Sequence, residues 1–185
     1  MKNLNIVLGL DQSANHSGYS IFDDGKLIKT GSILSSDKRG SCRLFHIKIE
    51  LDYVLNDWLP AICVMEGYSF GSLGRARSVL WELGGVIKLL MYERDVPLYT
   101  VAPTALKKYI CGSGCGFAPK EMVICEIYDQ YDLQFEDDNE ADAFVLGLIG
   151  HQINMRLQTG KFSSILPQHQ YEVLTQILST QGEVC

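Results

Sequence analysis

Apolar residues run without a break through Ile6-Val7-Leu8-Gly9-Leu10, and the run stops on Asp11. An uninterrupted stretch of this length reads as a strand buried on both faces. Gln12 to Ser17 form a polar turn, and Gly18 to Phe22 form a second strand. Asp23-Asp24-Gly25 is a hairpin signal into a third strand near Lys26–Ser32. Beyond the polar loop Ser35–Gly40 the period changes. Leu44, Ile47, Leu51, Val54, Leu55 and Trp58 recur at helical spacing, which predicts an amphipathic helix that Pro60 stops. A fourth strand, Ile62–Met65, ends on Glu66. The Gly/Ser-rich loop Gly67–Gly74 then leads into a helix over Arg75–Tyr92.

Leu98–Val101 is a short fifth strand, and Pro103 opens a brief helix over Thr104–Tyr109. A glycine-rich turn, Gly112–Gly116, precedes a helix opened by Pro119-Lys120-Glu121. A last long helix covers Glu140 to about Arg156. A three-stranded meander followed by β-α-β units predicts an α/β fold, with a five-stranded mixed sheet and helices on its faces. A right-handed crossover lays the fourth strand beside the first. Residues 1–157 form one expected domain. Residues 158–185 read as a polar, loosely attached tail with a short helix around Tyr171–Leu178.

That adjacency brings together the two carboxylates at the strand ends, Asp11 and Glu66. Asp142, on the last long helix, has only to pack across the same edge to join them. Carboxylates at buried strand ends are costly unless paired. Three of them together raise one another's pKa values unless a divalent ion neutralises them. The pattern points to a hard, all-oxygen site for Mg²⁺ or Mn²⁺.

Charge changes this picture only a little. The chain of 185 residues carries a net −6, which argues at first against a nucleic-acid partner. Seven of its 22 acidic residues crowd between Asp129 and Asp142, however, where there is no Lys or Arg. Setting them aside leaves 15 acids against 16 Lys and Arg. The six cysteines form no dense disulfide framework. Cys63 and Cys125 sit inside apolar runs, and Cys111 and Cys115 lack a second pair for zinc. No stretch is long and apolar enough to span a bilayer, and the N-terminus carries no secretory pattern, so a cytoplasmic location is expected.

Five pieces, in this order, give the chain a family likeness. They are Gly9-Leu10-Asp11-Gln12-Ser13 with Gly18-Tyr19-Ser20-Ile21, then Val64-Met65-Glu66, then Leu106 to Gly114, then Pro119 to Val123, then Asn139-Glu140-Ala141-Asp142-Ala143. Over residues 4 to 151 the sequence resembles the RuvC-type Holliday junction resolvases of the RNase H-like superfamily, in a form typical of bacteriophages. The resemblance implies a homodimeric, metal-dependent endonuclease that cuts four-way DNA junctions by two symmetric incisions. It uses two Mg²⁺ per active site, with Mn²⁺ as a substitute and no nucleotide cofactor. A bacterial or phage-infected cytoplasm follows from the same resemblance.

Residue by residue, it implies Asp11, Glu66 and Asp142 as metal ligands, with a fourth at Asn139 or at the neighbouring Asp138. Lys107 and Lys120 match basic positions at the scissile phosphate. Lys108 matches a further basic position, Tyr68 and Phe70 fall where relatives place an aromatic against bases at the branch point, and Arg75 and Arg77 are expected on their charge to add DNA affinity. Plainer readings stand beside these. Asp11 also suits a turn, Asp137 to Glu140 also suits a helix capping box, the lysines also suit a solvated surface, and Tyr68 and Phe70 also suit a core. His16, alone in a polar loop, reads as a surface residue. An actin-type ATPase needs a second domain and a second phosphate loop, which this length lacks. A nuclease of relaxed branch preference (fork, flap or three-way) and a non-catalytic DNA-binding member of the fold remain as alternatives.

Overall fold

The computed structural model describes residues 3–68, 75–116 and 118–180. Five strands alternate with, and are then followed by, helices: β1 (Asn3–Asp11), β2 (His16–Asp23), β3 (Lys26–Leu34), α1 (Gly40–Trp58), β4 (Pro60–Glu66), α2 (Arg75–Glu93), β5 (Leu98–Val101), α3 (Pro103–Cys111), α4 (Lys120–Tyr131), α5 (Asp138–Thr159) and α6 (Gln168–Thr180). The sheet order is β3-β2-β1-β4-β5. β1 pairs antiparallel with β2 and parallel with β4, and β5 extends the parallel side. The mixed five-stranded sheet and the β1–β4 adjacency are as the sequence predicts.

Strand parity decides what meets what, because successive side chains point to opposite faces. Ile6, Leu8 and Leu10 of β1 and Cys63 and Met65 of β4 turn toward α1 and α2, where Ile47, Leu51, Leu83 and Ile87 complete one core layer. Val7 of β1 and Ile62 and Val64 of β4 turn the other way, onto α5 and the helices behind it. Asp11 and Glu66 share the parity of Val7 and Val64, so both emerge on the α5 side. The alternation that builds the core thus also aims the carboxylates.

α5 lies so close to the sheet that its contacts with β1 and β2 are partly backbone contacts. A Cβ at Gly9 would run into the Ala143 carbonyl, and one at Gly147 would enter the Phe22 ring. Ser20 seals the approach by donating its hydroxyl to the Ala143 carbonyl at 2.6 Å.

Helix ends depart slightly from expectation. α1 ends at Leu59, which takes a left-handed conformation (φ 50°) and donates its N–H to the Leu55 carbonyl, while Pro60 already belongs to β4. A residue before proline is disfavoured in the right-handed helical region, so the turn falls one position ahead of Pro60. α5 begins at Asp138 rather than at Glu140, because Asp137 caps it. The Asp137 side chain accepts the N–H of Asn139 at 2.7 Å.

The expectation of a loosely attached C-terminal tail is corrected over residues 168–180. Gln170, Val173, Leu174 and Ile177 of α6 are buried, and the three apolar ones belong to the α5-side core. Gln170 donates its side-chain amide to the Tyr109 carbonyl of α3 (3.2 Å), and Glu172 pairs with Lys108 (2.7 Å). Polar composition hid an apolar stripe at helical spacing.

Candidate active site

β1, β4 and α5 deliver three carboxylates to one place. Asp11 is 5% exposed, and its carboxyl shares a hydrogen bond with that of Glu66. Burial, the Glu66 charge and the Asp142 charge together push Asp11 well above the usual carboxylate range. Burial and the Asp142 charge raise Glu66 to about 7, and burial raises Asp142 to about 6. Like charges held this close in a buried place resist full ionisation.

Two lysines supply partial relief. Lys120 lowers the pKa values of all three carboxyls, and Lys107 lowers those of Glu66 and Asp142. Lys120 forms an ion pair with Asp138. Burial opposes its charge, yet Asp138, Asp142 and Asp11 outweigh that and raise its pKa, while the same pair holds Asp138 below its usual range. Lys107 donates to the Ala118 carbonyl, which fastens α3 to the segment that opens α4. Gln12, which sequence reasoning passed over, is buried and donates to the Glu66 carbonyl at 3.1 Å, tying the ends of β1 and β4 together. Its place next to Asp11 was the available signal.

Other expected site residues are turned elsewhere. Asn139 spends its side-chain amide on Asp137 (3.0 Å). Lys108 faces α6 rather than the carboxylates. The half-buried Tyr68 packs edge-on against Trp81 with centroids 6.4 Å apart, and its hydroxyl fills the notch at Gly84. Phe70 lies outside the described residues, as do the side chains of Arg75 and Arg77. His16 is not a plain surface residue, because its Nδ1 lies 2.9 Å from Asp137.

Among the described residues no group of three or more His, Cys, Asp or Glu side chains is arranged as a finished cage for an ion. The chemistry of the donor set nevertheless fits a hard divalent cation. Asp11, Glu66 and Asp142 offer only oxygen, and their burial and mutual repulsion are what such an ion relieves.

A five-stranded mixed sheet with carboxylates on its two central strands and a third on the helix packed across them defines a nuclease of the RNase H-like fold. The family model for the crossover junction endodeoxyribonuclease RuvC matches residues 7–150, and the chain belongs to that family. The RuvC of Prochlorococcus marinus strain MIT 9211 is 29% identical over 153 residues, spanning 79% of this chain and 95% of that protein. The strain AS9601 protein is 26% identical over 152 residues, spanning 77% and 93%. Thermus thermophilus RuvC in complex with a Holliday junction substrate shares the fold with a TM-score of 0.67 at 18% identity, over 85% of this chain and 98% of that one. The yeast mitochondrial Holliday junction resolvase follows at 0.60 and 16%, over 86% and 84%. α6 lies beyond the stretch that the family model matches.

Proposed function

We propose that this chain resolves four-way DNA junctions by paired, symmetric phosphodiester hydrolysis with two Mg²⁺ per active site, in a bacterial or phage-infected cytoplasm. The observation that carries the proposal is the convergence of Asp11, Glu66 and Asp142 on the α5 side of the sheet, with Lys107 and Lys120 beside them. Asp11, Glu66 and Asp142 would hold the ions. The fourth ligand would come from Asp138, whose charge acts on Asp142 but which also pairs with Lys120, or from Asn139, whose amide nitrogen goes to Asp137 and leaves the side-chain oxygen available. Divalent ions held by these residues would supply an activated water and offset charge on the phosphate and the leaving oxygen.

The chain's own groups do the rest. Lys120 is held by Asp138 and Lys107 by the Ala118 carbonyl, so both ammonium groups are fixed near the carboxylates before substrate arrives. Point charges placed in advance favour the transition state more than the ground state. Loss of either should therefore slow cleavage more than it weakens binding.

A homodimer suits the two-fold symmetry of a four-way junction. α2 offers the surface for it: Trp81, Leu89 and Tyr92 are 51%, 54% and 77% exposed, and Gly85 beside them has open space around it. Of the adjacent glycines Gly84 and Gly85, the first is filled by the chain's own Tyr68, which leaves Gly85 for a partner.

The test is direct. Four-way, three-way and linear DNA are incubated with the protein, with and without Mg²⁺. Symmetric nicks in the four-way junction that need the metal are expected. Equal cutting of three-way or forked DNA would favour a branch nuclease of relaxed preference, and metal-independent cutting would overturn the metal assignment.

A further inference from the structure

His16 begins β2, and its side chain shares a strand face with Gly18 and Ser20. That face steps along α5. Ser20 binds the Ala143 carbonyl, a Cβ at Gly18 would meet the Asn139 carbonyl, and His16 reaches Asp137. Three successive inward positions of one strand thus register the first turns of α5, the helix that carries Asp138 and Asp142.

Asp137 divides its two oxygens between helix and strand. Oδ1 accepts the backbone N–H of Asn139 (2.7 Å) and its side-chain amide (3.0 Å), which caps the helix. Oδ2 lies 2.9 Å from His16 Nδ1, which ties that cap to the sheet. A cap alone keeps a first turn wound but does not say where the turn sits. The link to His16 says where.

We propose that His16 is a positioning residue for cleavage: through Asp137 it fixes the first turn of α5 against β2, and so sets the carboxylates that α5 brings to the metal site. The proposal rests on the metal-dependent reading given above. Groups that orient metal ligands from behind typically change metal affinity or activity by roughly 10- to 100-fold when removed.

The experiment compares wild type with His16→Ala and His16→Asn. The side-chain nitrogen of Asn stands as far along its chain as Nδ1 does in His, so Asn can still donate to Asp137. Mn²⁺ affinity is read by electron paramagnetic resonance without DNA, cleavage in single turnover, and junction binding in Ca²⁺. Thermal unfolding and hydrogen exchange of the Asn139 amide are measured alongside.

For His16→Ala we expect Mn²⁺ affinity about tenfold weaker and a similarly slower cut at limiting metal. Junction binding should stay within about twofold, and the Asn139 amide should exchange faster. His16→Asn should recover most of the loss. Unchanged Mn²⁺ affinity in His16→Ala overturns the proposal, and so does a His16→Asn variant as impaired as His16→Ala, which would assign the effect to ring packing. If His16→Ala fails to fold, His16→Asn decides alone: near-wild-type Mn²⁺ affinity supports the donor role and lost affinity removes it. Wild type that binds Mn²⁺ but leaves junctions uncut would overturn the resolvase reading while the Mn²⁺ comparison still tests His16. Wild type that binds no Mn²⁺ overturns both.

Discussion

α5 and α2 are both rich in apolar residues around much of their circumference, yet the fold treats them differently. α5 is covered on nearly every side: Ala141, Phe144, Val145, Leu146, Ile149 and Ile153 are buried between the sheet and α3, α4 and α6. α2 buries Leu83, Ile87, Leu90 and Met91 against its own sheet and leaves Trp81, Leu89 and Tyr92 outward. A helix apolar all round is a buried helix, and what covers it has to come from somewhere. For α5 the cover is the rest of the chain. On α2 the outer stripe stays largely open: Trp81 meets Tyr68 edge-on, while Leu89 and Tyr92 are more than half exposed. Under the proposed homodimer, the difference separates a helix that holds the carboxylates still from a helix that meets a second copy.

The sharpest way to break this contrast is at the chemical end of α5. Asp142→Asn should lower junction cleavage by about 10³-fold or more, on the order of 4 kcal/mol in the barrier. Junction binding in Ca²⁺ and the fold should persist, because removing one of three buried like charges relieves repulsion. Cutting near the wild-type rate in Mg²⁺ would remove Asp142 from the metal site.

The next effect is one of pH. Glu66 is raised to about 7 and Asp142 to about 6 in the folded protein, so their protonated forms stabilise it. That contribution is complete below about pH 4, the range of ordinary carboxyls, and is lost as pH rises through 6 and 7. For Glu66 alone the loss is about 3 kcal/mol. Metal-free Glu66→Gln should therefore gain Tm over wild type as pH goes from 4 to 8, and Mg²⁺ should shrink the gap. Calorimetry showing a constant difference across that range would contradict the buried-cluster account.

On α2, Leu89→Lys should weaken self-association by about 100-fold, close to 2.7 kcal/mol, while leaving the monomer folded. Sedimentation at micromolar concentration reads the outcome, and an unchanged dimer would place the interface elsewhere. The smallest effects come from a matched pair of glycines. Gly147→Ala forces a methyl into Phe22 and Ser20 and should cost about 2 kcal/mol in urea unfolding. Gly85→Ala meets nothing within 4 Å and should leave monomer stability equal or up to about 1 kcal/mol higher. Equal costs at both positions would erase the distinction between the two helices.

The strands and the carboxylate pair were legible because each depends on local order. An apolar run that ends on Asp11 or Glu66 shows both the strand and the anomaly at its end. Asp142 was legible through the motif around it. The helix of α6 was legible around Tyr171–Leu178 but its docking was not, because the burial of Val173, Leu174 and Ile177 depends on α3 and α5 being in place. Nor was the His16–Asp137 contact, since nothing near either residue in sequence announces the other. Tyr68 suited both DNA and a core in sequence; its contacts with Trp81 and Gly84 are visible only once α2 is in place.

The closeness of α5 to β1 and β2 also sets the order of events in the life of each new molecule. The Ser20–Ala143 hydrogen bond joins residues 123 positions apart, and the Asn154–Leu4 bond spans 150. Contacts of such long range make folding slow, and during synthesis they cannot form until most of the chain has left the ribosome. A nascent or truncated chain that lacks α5 therefore has Asp11 and Glu66 but no third carboxylate, and its strands expose an open apolar face instead of a cutting site. The full carboxylate set therefore exists only once α5 has been made and has packed onto β1 and β2.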